Sequence, residues 1–219
     1  MFRRSQNIRD QKSGAGFTLI EMLVVVGIIV IVTSTVLANN SKFGGTILLQ
    51  NLAYDIALSS REAQIYGVSV RRFTTSFTAP FGMHFDVSTL QSSQAYTIFA
   101  DAGATGGGNG HYDCASPGTS DCELVQTTNI TRGFYIGQVC VTPATGNEDC
   151  TNKILDIIYK HPEPDAYIYA CATSATCGSP GTQYARARIV VMSPRGDTMN
   201  ICVDLNGQIS VHNGSSCTY

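Results

Sequence analysis

The side chains most able to do chemistry are eight cysteines: Cys114, Cys122, Cys140, Cys150, Cys171, Cys177, Cys202 and Cys217. All lie in the second half of the chain, downstream of a long apolar run near the start. An even number in that position predicts disulfides formed in an oxidising compartment. Nearest neighbours would close four short loops, Cys114 with Cys122, Cys140 with Cys150, Cys171 with Cys177 and Cys202 with Cys217. Eight cysteines allow on the order of a hundred pairings, so spacing alone leaves the connectivity open. Zinc is the poorer alternative, because no C-x-x-C pair exists and His84, His111, His161 and His212 are scattered. A glycine-rich stretch carries Asp101, Asn109 and Asp113, with Asp121 and Glu123 after them. Oxygen ligands of this kind suit Ca²⁺, but the spacing fits no D-x-[DN]-x-[DN]-G loop, so a solvated loop is expected and no metal or other cofactor. No G-x-S-x-G, H-E-x-x-H or phosphate-loop pattern occurs, so no catalytic residue is named and no enzyme is expected. Arg71-Arg72 and Arg186-x-Arg188 are short basic pairs, expected on exposed strand faces with weak ion pairs. Ser193-Pro194-Arg195-Gly196-Asp197 reads as a tight turn between strands.

One further residue is chemically out of place. Glu21 is the only ionisable group between Phe17 and Ala38, a span of mainly Leu, Ile, Val and Met with Gly27 and four hydroxyl residues, Thr18, Thr33, Ser34 and Thr35. As a helix this span is about 33 Å long, against a hydrocarbon core of roughly 30 Å. A carboxylate at membrane depth costs about 3 kcal/mol at the centre and less towards an interface. A partner cation would explain it. Cleavage after Gly16 would create one, because the new α-amine of Phe17 lies one helical turn from Glu21. Two other readings are a secretory signal cut near Val36-Leu37-Ala38, giving a start at Asn39, and an ordinary single-pass anchor.

The elements that must position these residues follow from composition and period. The 219 residues suffice for one globular domain plus an appended element. The net charge is −2, and Arg3, Arg4, Arg9 and Lys12 with Asp10 precede Phe17, leaving ten basic and fifteen acidic residues in the remainder. Nucleic acid is therefore an unlikely partner, and the basic flank keeps the N-terminus cytoplasmic while the rest is exported. Leu49, Leu52, Ile56, Ser59 and Ala63 extend the helix with an apolar stripe. Gly67 would stop it, and Gly44-Gly45 could break it. Thereafter the period is two: Val68–Phe73, Gly82–Phe85, Tyr96–Phe99, Gly133–Val139, Ile154–Tyr159, Ala187–Met192, Thr198–Val203 and Gln208–Val211 are candidate strands. The expected fold is α+β, a long N-terminal helix packed on antiparallel sheet. Its parts are a leader at 1–16, a membrane or filament-core helix at 17–38, an amphipathic continuation at 39–67 and an exported β-rich domain at 68–219.

Gly16-Phe17-Thr18-Leu19-Ile20-Glu21-Met22-Leu23-Val24 resembles the class III signal of type IV prepilins and type II secretion pseudopilins. The resemblance implies cutting between Gly16 and Phe17 by a prepilin peptidase, N-methylation of Phe17, and a need for Glu21 in assembly. It also implies other pilins or pseudopilins and an inner-membrane assembly platform as partners. The chain would begin as a single-pass inner-membrane protein and end in a periplasmic or cell-surface filament. Many pilins carry a proline where this chain has Ala38. Arg61-Glu62-Ala63, Gly67 and Val70, then Phe81–Asp86 and Tyr96–Asp101, are similar to GspH-type minor pseudopilins and related minor pilins. Some relatives that bind DNA carry arginines in the final strand, and Gly207–Val211 has none. The expected role is thus a pilin-like structural subunit. The alternatives are a membrane-tethered exported binding domain that never polymerises, and a DNA-uptake minor pilin.

Overall fold

The structure, a computed structural model, describes residues 16–69, 71–74, 77–102, 108–114, 122–173, 177, 183–214 and 216–217, with residues 38–43 described by backbone alone. Arg3, Arg4, Arg9, Lys12, Val70 and Asp121 lie outside the described residues. The chain divides into two units, Met1–Gly44 and Gly45–Tyr219.

Helix α1 runs Leu19–Val68, so the Gly44-Gly45 pair does not interrupt the element. Within the second unit its buried positions are Leu49, Ala53, Ile56, Ser60, Ala63, Gln64 and Gly67, each three or four residues from another, so that they share one face of the helix. Gly67 ends the helix to within one residue, but for a different reason from the one its type suggests. A Cβ there would fall on the carbonyl oxygen of Tyr159, so the glycine is needed where the helix meets a strand backbone.

Among its described residues, the stretch Val68–Phe73 expected as a strand forms none. Val68 is still helical, Ser69 N–H closes on the Ile65 carbonyl, and Phe73 makes only an isolated bridge. The alternation there is satisfied instead by stacking. The Arg71 guanidinium lies 3.8 Å over the Tyr66 ring and that of Arg72 lies 5.5 Å over Phe77. The GspH-type order, with a strand directly after Gly67, is therefore not followed. The strands are β1 Phe81–Asp86, β2 Ala95–Ala100, β3 Leu124–Asn129, β4 Tyr135–Thr142, β5 Ile154–Tyr159, β6 Ala166–Cys171, β7 Arg186–Met192, β8 Thr198–Asp204 and β9 Ile209–His212. Of these, β3 and β6 were not foreseen.

All pairings are antiparallel. One sheet has the order β3-β2-β1-β5-β6 and the other β4-β7-β8-β9. Leu49, Ala53, Ile56 and Ala63 of α1 share a single core with Met83, Phe85, Ile98, Leu155, Ile157 and Tyr159 of the first sheet and Ile136, Val139, Ile189, Val191 and Ile201 of the second. The fold is α+β, a helix against two sheets. The sulfurs pair Cys114–Cys122, Cys140–Cys150, Cys171–Cys177 and Cys202–Cys217.

Candidate functional site

Gly16 and Phe17 precede the helix. Gly16 has no neighbour within 4 Å of its missing Cβ, and Phe17 is 75% exposed. The bond between them therefore lies in uncovered, non-helical backbone, the form a peptidase can grip. Thr18 then starts the helix as its cap. Its Oγ1 accepts the Glu21 N–H at 3.2 Å and its carbonyl accepts the Met22 N–H at 3.2 Å. Thr18-x-x-Glu21 is thus a capping-box pattern, with the acid in the first turn where the helix macrodipole favours negative charge. This was legible as S/T-x-x-E and was missed. It gives Glu21 a local stabilising role beside any role with a partner cation.

From Leu19 to Leu37 the helix has 19 residues of mean hydropathy 2.6, and none of that span is buried within the chain. Two of its hydroxyls are satisfied internally. Thr33 Oγ1 donates to the Ile29 carbonyl at 2.7 Å and Thr35 Oγ1 to that of Val32 at 2.8 Å. A helix meeting its own polar needs in this way is suited to hydrocarbon or to packing among similar helices.

The domain also carries polar clusters. Asp101 is no open cation ligand. Its carboxylate accepts the N–H groups of Asn109 at 2.8 Å and Gly110 at 3.1 Å, closing the base of the β2–β3 connection. Burial raises its pKa, an effect the two N–H donors reduce. Asn109 Nδ2 donates to Asp113 Oδ2 at 2.6 Å, and Glu123 accepts the N–H groups of Ala102 and Asp113, each at 3.0 Å. These acids serve the loop backbone.

Unforeseen from sequence is a triad on the first sheet, with Asp156 and His111 buried and His84 half-buried. His84 of β1 sits across from Asp156 of β5 in register. Asp156 Oδ1 is 2.7 Å from His84 Nδ1 and Oδ2 is 3.0 Å from His111 Nδ1. An ionised carboxylate only accepts, so both Nδ1 atoms carry the proton. Burial pushes the Asp156 pKa up most strongly. The His84 charge and the hydrogen bonds from His111 and His84 together overcome it, leaving the carboxyl below the usual aspartate range. The triad holds the 108–114 segment down over Phe99, Ile158 and Tyr169.

Arg188 departs from expectation too. It is 7% exposed, and Glu148 chelates it at 2.7 and 2.5 Å, while Arg186 pairs with Asp204. The strand faces expected to be open are thus closed by ion pairs. Two groups of possible metal ligands, His111 with Cys171 and Cys177, and Cys140 and Cys150 with Glu148, rest on sulfurs already bridged. A bridged sulfur is not the thiolate that a metal needs.

Comparison with known families gives one match. The family model described as the prokaryotic N-terminal methylation motif covers residues 11–37. No curated protein and no solved structure matches the chain. The matched segment holds Gly16, Phe17, the Thr18 cap and Glu21, and runs to the end of the apolar span. It implies processing by prepilin peptidase and assembly with other pilins, and points to a structural subunit. The apolar helix with the domain after it fits a single-pass anchor. Residues 11–37 thus carry the prepilin methylation motif at the head of an uncovered apolar helix, a combination that supports a prepilin-processed, type IV pilin-like protein.

Proposed function

We propose that the chain is a minor subunit of a type IV pilus or of a type II secretion pseudopilus. Its leader, residues 1–16, stays cytoplasmic; prepilin peptidase cuts between Gly16 and Phe17, and Phe17 is N-methylated. The helix from Phe17 to Ala38 waits in the inner membrane and then passes, through the assembly platform there, into the core of a filament. Glu21 pairs in that core with the terminal amine of a neighbouring subunit and fixes axial register. The domain beyond residue 67, stapled by its disulfides, faces the periplasm or the cell surface.

The observation that carries this reading is one carboxylate, Glu21, in a span with no buried residue, one turn beyond a bond open to cleavage. A lone charge in hydrocarbon calls for a partner, and a freshly made amine four residues away in each subunit supplies one. The test is to co-express the chain with a prepilin peptidase and a filament system, then weigh the mature protein. A start at methylated Phe17 is expected. Glu21→Gln should be cut normally yet enter sheared filaments about tenfold less. A start at Met1 or Asn39, or undiminished incorporation of Glu21→Gln, overturns the reading.

A further inference from the structure

Arg188 of β7 ties the Cys140–Cys150 bridge to an ion pair. It faces Cys140 of β4 in register, and its Nη2 donates to Cys140 Sγ at 3.3 Å and to Cys150 Sγ at 3.5 Å. The same nitrogen donates to Glu148, whose Oε2 also lies 3.7 Å from Cys150 Sγ. The two sulfurs are thus unlike. Cys140 is fully buried against the guanidinium, whereas Cys150 is half-buried and stands beside the Glu148 carboxylate. The ends of the loop are also joined without them. Val141 N–H donates to the Asp149 carbonyl at 2.8 Å, and Asp149 N–H to that of Val141 at 2.7 Å.

Thiol–disulfide exchange needs an accessible sulfur to receive the incoming thiolate and a partner sulfur able to leave with the electron pair. Both residues of Cys171–Cys177 and of Cys202–Cys217 are buried, so neither bridge offers the first. Cys114–Cys122 offers a half-buried residue in Cys114, but Asp113 and Glu123 flank that bridge in sequence and oppose a thiolate arriving or leaving. Cys140–Cys150 offers both. Cys150 is open to solvent on one side, and a thiolate left on Cys140 gains a charge-assisted hydrogen bond from an Arg188 already in contact. Glu148 works against this, by offsetting the Arg188 charge and by repelling an anion near Cys150, so it acts as a brake on opening.

We propose that Cys150 is a modification site, at which a small thiol of the glutathione or cysteine class enters by exchange. The incoming thiolate attacks Cys150 Sγ, the Cys140–Cys150 bond breaks, and its electron pair leaves on Cys140 Sγ beside Arg188. A mixed disulfide forms on Cys150. The small thiol is oxidised and Cys140 is reduced, so no other oxidant enters, and attack by the Cys140 thiolate on Cys150 restores the bridge. The inference rests on the domain alone and not on polymerisation, so it is tested on the monomer. The full chain, solubilised in detergent, is given a brief pulse of reduced glutathione, quenched with excess N-ethylmaleimide and mapped by peptide mass spectrometry. Cys140–Cys150 should open about tenfold faster than any other bridge, with glutathione on Cys150 and maleimide on Cys140. Glu148→Gln lifts the brake at an exposed position and should speed this opening about threefold while leaving the other three bridges unchanged. Glu163→Gln, at another exposed position, should leave the rate as it was. The proposal is overturned if no mixed disulfide forms, if another bridge opens first, if glutathione is found on Cys140, or if Glu148→Gln opens no faster.

Discussion

At the scale of single residues, Asp156 shows what sequence can and cannot reveal. It stands 72 positions from His84 and 45 from His111, and nothing local in the chain links the three. Strand register brings the first pair together, and a loop folding back over the sheet brings the third. Glu21 was conspicuous for the opposite reason, since its surroundings in sequence are its surroundings in space. Asp156→Ala would strand the buried His111 N–H and unpair that of half-buried His84, and should cost about 3 kcal/mol of domain stability, read by chemical denaturation of the detergent-solubilised chain. The pH dependence has a definite sign. The folded pKa of Asp156 lies below the unfolded value, so its contribution is present above an unfolded pKa of about 3.9 and is lost as pH falls through the folded one. Asp101 acts in the reverse sense, because its folded pKa is raised. Its contribution is present below the unfolded pKa and is lost as pH rises through the folded value. A titration of stability between pH 2 and 6 should therefore lose its steep acid limb in Asp156→Asn. An unchanged acid limb would remove Asp156 from the account.

At the scale of elements, strands with a clean core-facing pattern were legible and the others were not. Strand β3, Leu124-Val125-Gln126-Thr127-Thr128-Asn129, is an edge strand with much of its length exposed, so it carries little apolar signal. Strand β6, Ala166-Tyr167-Ile168-Tyr169-Ala170-Cys171, is covered on both faces, which erases the alternation a half-buried strand shows. The spurious strand after Gly67 arose because a helix end followed by two stacked arginines mimics a period of two. Gly67 itself yields a prediction about how α1 docks. Adding a methyl there would press on the Tyr159 backbone, so Gly67→Ala should destabilise the domain by about 2 kcal/mol although alanine is the better helix former. If thermal unfolding of Gly67→Ala instead shows a gain, the contact with β5 is not what selects glycine. At the other end of the helix, Thr18→Ala removes the cap. The Glu21 amide should then exchange its hydrogen faster in detergent micelles, by a factor matching the loss of about 1 kcal/mol.

For the whole molecule, the domain is expected to depend on its four bridges for much of its stability. Their sequence separations are 8, 10, 6 and 15, and no loop contains another, so each constrains the unfolded chain independently. On the chain-entropy account each contributes about 2–3 kcal/mol, the 15-residue loop of Cys202–Cys217 most, and the four together about 10 kcal/mol. That sum is comparable with the entire stability of an ordinary domain, about 5–15 kcal/mol. The short loops were legible because the cysteines come in close pairs. What they enclose was not, since the Cys171–Cys177 bridge lies against His111 at 3.9 Å and the Cys140–Cys150 bridge against Arg188 at 3.3 Å. The domain is thus expected to need an oxidising compartment, which an exported domain behind a membrane helix would reach. Full reduction of the solubilised chain should abolish its near-ultraviolet circular dichroism at 37 °C while leaving the helix signal of the apolar span. Replacing Cys202 and Cys217 together by alanine should lower the melting temperature further than replacing Cys171 and Cys177, by the order of their loops. A reduced chain that keeps its tertiary signal at that temperature would show that burial alone suffices, and the bridges would then be secondary to the core shared by α1 and its two sheets.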